Sequence, residues 1–135
     1  MEQKEELQKK YLQYQILKQQ ITGMLQERSS IEEKAAEIKV ALETLKSLNA
    51  SSAGKSLWSP VGAGMFAKAS LEDAGSFMVS IGANVIVEET REKAITLLTE
   101  REEEVAKLAG EMDVLVAHYM KEIESLEEEL QKLAK

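Results

Sequence analysis

Residues Ser59 to Thr90 read "SPVGAGMFAKASLEDAGSFMVSIGANVIVEET", unlike everything on either side of them. This stretch holds the only proline, four of the seven glycines and both phenylalanines of a 135-residue chain. Three turn signals divide it: Gly62-Ala63-Gly64, Asp73-Ala74-Gly75 and Gly82-Ala83-Asn84. The apolar run Leu57-Trp58-Ser59 just before it is expected to stop at Pro60. Met65, Ala67, Ala69 and Leu71 then alternate with Phe66, Lys68 and Ser70. Phe77, Val79 and Ile81 alternate with Met78 and Ser80, and Val85-Ile86-Val87 closes the set. Period-two runs bounded by turn residues are strands, so the block predicts four short strands in two β-hairpins.

On both sides the pattern changes to steps of three and four. The first segment carries Leu7, Tyr14, Leu17, Ile21, Met24, Ile31, Ala35, Ile38, Leu42 and Leu45, broken by Lys10 and Arg28. The last carries Ala94, Leu98, Arg101, Val105, Leu108, Met112, Leu115 and Tyr119, then slips by one through Ile123 to Leu126, Leu130 and Leu133. Such spacing held over several heptads marks a coiled-coil seam. Facing positions in an antiparallel pair have residue numbers of constant sum. Leu42 with Leu98, Ala35 with Val105 and Leu7 with Leu133 give 140, while Ile31 with Leu108 and Met24 with Leu115 give 139. The two helices therefore pair along their length, roughly 60 Å for about forty residues. The hairpins sit at the bend. Arg28 is expected beside Met112 and Glu111, and Arg101 beside Ile38 and Glu37, as polar residues that pin the register. Thr90 is the expected cap of the second helix, with Glu92 in its first turn. Gly23 and Gly110 are candidate bends.

The fold class is thus mostly α with a small β part. Residues 1–50 form the first coiled-coil helix, 51–89 the hairpins and 90–135 the second helix. Net charge is zero, −2 and −5 in those three segments. The acidic surface argues against a nucleic-acid partner. No apolar run reaches the roughly 20 residues of a membrane span, and the charged start Met-Glu-Gln-Lys-Glu-Glu does not resemble a signal peptide. A cytoplasmic location is expected, so the sequon at Asn49 carries no meaning. With no cysteine there is no disulfide framework.

Enzymatic readings fail on particulars. His118 is the only histidine and has no cysteine partner. Gly62-x-Gly64 lacks a third glycine and leads into a strand, and no complete phosphate-binding Gly-x4-Gly-Lys-Ser/Thr loop exists, since Asn49 stands where the first glycine would precede Gly54-Lys55-Ser56. The Glu runs read as solvated helix faces. No catalytic residue, metal ligand or cofactor is expected.

Two isolated hairpins are marginal in water, and a stalk whose seam is used on itself is expected to leave their apolar faces uncovered. The strands are therefore expected to pair with strands of other subunits. Trp58, Phe66, Phe77, Val79, Ile81, Val85 and Val87 are the candidate oligomerisation residues. Away from the seam, Tyr11, Leu12, Ile16, Val116 and Met120 are surplus apolar side chains, and exposed apolar area marks contact sites.

The segment Pro60 to Ala69, two hairpins and two helices of matched register together resemble the α-type subunit of the prefoldin family, over nearly the whole chain. The resemblance implies an ATP-independent holdase. In such a complex two α-type and four β-type subunits build a hexamer on a double β-barrel platform. The coiled-coil tips capture unfolded client proteins and pass them to a group II chaperonin. The tip residues implied here are Leu7, Tyr11, Leu12, Ile16, Met120, Ile123, Leu126 and Leu130. The rival readings are a self-assembling filament and a tethering coiled coil without client transfer.

Overall fold

The computed structural model describes residues 2–134. Helix α1 spans Glu2–Ser47, followed by a 3-10 turn at Ala50–Ser52. Strands β1 (Ser56–Gly62), β2 (Met65–Ser70), β3 (Ser76–Gly82) and β4 (Val85–Thr90) follow, and α2 spans Arg91–Ala134. Two long helices and two antiparallel hairpins are the architecture expected above. The chain divides into two compact units: Met1–Ala35 with Glu104–Lys135, and Ala36–Glu103.

In the first unit the helices pack antiparallel through the predicted seam. Leu7, Lys10, Tyr14, Leu17, Ile21, Met24, Arg28, Ile31 and Ala35 are each less exposed than their neighbours. On α2 the protected positions are Val105, Ala109, Met112, Val116, Tyr119, Ile123, Leu126, Leu130 and Leu133. This corrects the sequence reading at two places. Leu108 and Leu115 lie outside the seam, 53% and 44% exposed, and Ala109 and Val116 replace them. The reason is geometric. With Ala109 and Val116, every facing pair from Leu7–Leu133 to Ala35–Val105 sums to 140, and no slip is needed near Tyr119. The surplus step moves to Arg101–Val105–Ala109, two successive fours, a stutter that locally unwinds a coiled coil.

Ion pairs and hydrogen bonds flank this seam. The ammonium of Lys10 lies 2.8 Å from Glu129 and 3.5 Å from Glu6. Its hydrogen bond to Glu129 raises its pKa above the ordinary 10.5, against an opposing desolvation. The Tyr14 hydroxyl donates to Glu127 Oε1 at 3.0 Å. Arg28 bonds Asp113 across the helices and Glu32 along its own. The partner is therefore Asp113, not the expected Glu111. Glu111 is one position on the other side of Met112, and the side chain turns toward Asp113.

The second unit holds the hairpins. Thr90 caps α2 as expected, accepting from the Lys93 amide at 3.1 Å. Each hairpin turns through two residues with positive φ: Ala63 (51°) and Gly64 (77°), then Ala83 (50°) and Asn84 (61°). Two-residue hairpin loops of type I′ require that conformation, which Gly and Asn adopt at least cost. Pro60 does not end β1. It pairs with Phe66, and the ladder shifts by one residue between Pro60 and Gly62. A bulge is one of the few strand positions that tolerates proline. β3 carries the matching shift between Ser80 and Gly82.

The two hairpins are copies of each other. Residues 56–70 and 76–90 align without gaps at an offset of 20: Ser56/Ser76, Leu57/Phe77, Gly62/Gly82, Ala63/Ala83, Phe66/Ile86, Ser70/Thr90. Strand lengths and bulge positions coincide as well.

The helices do cover part of this block, contrary to expectation. Leu45, Val79 and Ala94 form a core, with Phe77, Ile95, Leu97 and Leu98 packed against it. One face of the second hairpin is thereby buried inside the chain. Arg101 also differs from its expected place beside Ile38 and Glu37: its guanidinium donates to the Ser80 carbonyl, joining α2 to β3.

Candidate functional site

Position along α1 follows from helix geometry. With Leu7, Lys10 and Tyr14 toward the partner helix, Tyr11, Leu12 and Ile16 fall on flanking faces. All three are exposed, as is Met120 on α2. Val116, expected among these surplus side chains, belongs to the seam instead. Leu7, Leu126 and Leu130 are half-buried, and Ile123 is buried.

Leu7, Tyr11, Leu12, Ile16, Leu126 and Leu130 line two open grooves within the first unit, and Met120 and Ile123 line neither. One, of about 700 Å³, is lined by Leu7, Tyr11, Leu12 and Leu130 with three glutamines and Ala134. It contains no charged side chain, in a chain that is 30% charged. The other, of about 640 Å³, has Ile16, Leu17 and Leu126 on its apolar side and His118, Lys121 and Glu122 on its polar side. His118 Nε2 lies 3.0 Å from Glu122 and its ring meets Tyr119 edge-on at 5.6 Å. A third groove holds Ile31, Leu108, Met112 and Leu115 beside Lys34 and Glu111. The sequence reading missed it because it assigned Leu108 and Leu115 to the seam.

The hairpins present the second candidate surface. Trp58 and Phe66 are 67% and 61% exposed. Strand pairing sets Trp58 opposite Lys68 and Phe66 opposite Pro60, so they share one face. On the second hairpin Met78 and Ile86 are exposed on the equivalent face, and Ile81 and Val85 are exposed near the turn. Val79 and the half-buried Phe77 pack within the chain, and half-buried Val87 pairs with Val79. The outer edges of both two-stranded sheets are unpaired in the chain. Unpaired edges with exposed apolar faces are templates for strands of another chain.

Arg91 was not foreseen. It begins α2, and its guanidinium caps the end of α1. Nε donates to the carbonyls of Leu45 (3.0 Å) and Leu48 (2.6 Å), and Nη2 to that of Lys46 (3.0 Å). A helix terminus leaves such carbonyls without partners, and the helix dipole favours a cation there. No local sequence signal marks a cap delivered from 43 or more residues away.

Among the described residues no group of three or more His, Asp or Glu could hold a metal ion. No described helix is long and apolar enough to cross a membrane. What the described residues present is surfaces: helices that expose apolar grooves, and two duplicated hairpins with open edges. This is the class of a helical-hairpin subunit built to associate with other chains.

Comparison with known proteins places it further. The family model described as "Prefoldin subunit" matches residues 17–135. Prefoldin subunit alpha of Thermofilum pendens is 31% identical over 116 residues, covering 83% of this chain and 89% of that one. Prefoldin subunit alpha of Methanoculleus marisnigri is 38% identical over 91 residues, covering 67% and 60%. Among solved structures, filamentous PFD of Methanocaldococcus jannaschii superposes with a TM-score of 0.73 at 25% identity, covering 84% of this chain and 93% of that one. The prefoldin beta subunit of Thermococcus strain KS-1 shares the fold, with a TM-score of 0.65 at 18% identity over 94% and 90%. The chain belongs to the prefoldin family. It is a chaperone-type subunit and not an enzyme, since prefoldin subunits are non-enzymatic chaperone components.

Proposed function

We propose that the chain is the two-hairpin subunit of a cytoplasmic, ATP-independent holdase. Two copies join four single-hairpin β-type subunits through the strands, with Trp58, Phe66, Ile81, Val85 and the strand positions Phe77, Val79 and Val87 at or beneath that interface. Unfolded client proteins are held in the grooves near the two termini and passed to a group II chaperonin. The observation that carries this reading is the uncharged groove of Leu7, Tyr11, Leu12 and Leu130. Its walls are apolar or amide, so they suit exposed apolar segments of many sequences. Ile16, Met120, Ile123 and Leu126 extend the same region. Several arms holding one client multiply weak contacts through effective concentration.

The test is light scattering of a denatured protein diluted into buffer with the assembled complex. Leu12→Ser with Tyr11→Ser is expected to abolish protection while native mass stays that of the hexamer, and added ATP is expected to change nothing. Full protection by that variant would overturn the reading.

A second reading rests on the likeness to filamentous PFD: the chain assembles with itself into filaments. Native mass measured with and without a β-type partner separates the two.

A further inference from the structure

The third groove, of about 350 Å³, opens beside the seam residues Ile31 and Met112. Leu108 and Leu115 form its wall on α2, and both are exposed. Glu27 and Lys34 form its wall on α1, and Glu111 stands between the two leucines. Among the described residues, none of these three charged side chains joins an ion pair. Along the same stretch of seam Arg28 is tied to Asp113 and Glu32, so the groove's charges are the ones left over. The register sets Glu27 across from Leu115 and Lys34 across from Leu108: both pairs give 142, close to the 140 of the seam. The corners of the groove are therefore an acid, a base and two leucines.

A second copy can cover this groove about either of two two-fold axes lying in its plane. With the helices of the two copies running the same way, α1 lies on the copy's α2. Every charge then meets a leucine, Glu27 on Leu115 and Lys34 on Leu108, and a charge covered by an apolar side chain loses its water without gaining a partner. With the copy turned end for end, α1 lies on α1 and α2 on α2. Glu27 with Lys34 gives 61, as does Ser30 with Ile31; Leu108 with Leu115 gives 223, as does Glu111 with Met112. One axis serves both helices, because the midpoints of these pairs on α1 and α2 stand across from each other in the chain. Each two-fold contact occurs twice, so the antiparallel arrangement closes two Glu–Lys pairs and two Leu–Leu pairs.

We infer that this groove is a docking surface for a second, antiparallel copy of the chain, with Glu27 facing Lys34 and Leu108 facing Leu115. Flanking charges choose the direction of paired helices, and here they reject the parallel copy as well as favour the antiparallel one. Glu111 stands next to its own equivalent across the axis. That repulsion keeps the association weak and reversible.

The inference does not depend on client capture or on the strands. Unlabelled and isotope-labelled full-length chains are mixed and treated with a carbodiimide, which joins a carboxylate to an amine in direct contact. Mass spectrometry is expected to find light–heavy links between Glu27 and Lys34, whereas links within one chain stay all light or all heavy. In sedimentation, Glu27→Lys is expected to weaken self-association by about tenfold. Adding Lys34→Glu restores it to within about twofold, and Glu111→Gln alone tightens it by about threefold. Every variant leaves the hairpins unchanged, so the differences report the helices, and circular dichroism confirms that each variant folds. Light–heavy links from Lys34 to Glu104 in place of Glu27 would mean a parallel copy and overturn the inference. So would an absence of light–heavy links, a double reversal that fails to restore association, or weakening by Glu111→Gln.

Discussion

Arg91→Ala removes the group that terminates α1 from across the chain. The structure gives three hydrogen bonds from one guanidinium to the carbonyls of Leu45, Lys46 and Leu48. A typical intramolecular hydrogen bond contributes about 1 kcal/mol net. Two of the three are partly buried; the Lys46 bond is exposed and water readily replaces it. A cation at a helix C-terminus adds about 0.3–1 kcal/mol. The expected loss is therefore about 2–3 kcal/mol, read as a lower urea midpoint by circular dichroism with an unchanged slope. Arg91→Lys keeps the charge but lacks the planar fork, and is expected to recover about half. Hydrogen exchange adds a local readout: amides of the last turn of α1 should exchange faster in Arg91→Ala while those near Ile21 do not. If Arg91→Ala lies within about 0.5 kcal/mol of the original chain, the cap is cosmetic and the reasoning fails.

Three further outcomes follow from the packing. Val79→Ala opens a cavity beside Leu45 and Ala94 and is expected to cost about 2 kcal/mol in urea unfolding, whereas Met78→Ala on the exposed face is expected to cost under about 0.5; equal costs would contradict the assignment of inner and outer faces. Gly23→Ala and Gly110→Ala each put a methyl into open space on a helix and are expected to add about 0.5–1 kcal/mol in the same assay; destabilisation by either would mean the glycine serves a contact with another chain. Met24→Cys with Val116→Cys is expected to form an intrachain disulfide faster than Met24→Cys with Leu115→Cys, measured by thiol loss on mild oxidation, and the reverse order would restore the register based on Leu108 and Leu115.

Most of the fold was legible because it rests on periodicity. The 3-4 repeat on α1 survives residue for residue from Leu7 to Leu45, including the polar Lys10 and Arg28. The turns at Gly62-Ala63-Gly64 and Gly82-Ala83-Asn84 fall where their residue types demand. Where the reading went astray, side-chain size misled it. Leu108 and Leu115 look better suited to a seam than Ala109 and Val116, yet a strictly constant sum of 140 selects the smaller pair. Pro60 looked like a strand end because a bulge cannot be seen without its partner strand. The core of Leu45, Val79 and Ala94, the cap by Arg91 and the bond from Arg101 to Ser80 join residues far apart in sequence, so no local pattern announces them. The hairpin duplication needs no structure to be seen, but the matching bulges on β1 and β3 are what make the two copies comparable strand by strand. The exposed apolar side chains of the first unit were legible in part: Tyr11, Leu12, Ile16 and Met120 are exposed as expected, Val116 is not.

The proposed capture of clients in the grooves near the termini is tested at single residues by site-specific photocrosslinking. A photoreactive side chain is placed at Leu12, at Met120 or at Val40, an exposed apolar position on α1 in the other unit. Each assembled complex is mixed with a freshly diluted unfolded protein, irradiated and resolved on a denaturing gel. Strong adducts at positions 12 and 120 and little at 40 are the expected result. Adducts at 40 equal to those at 12, or none at 12 and 120 from a complex that still protects its client, would contradict capture at these grooves.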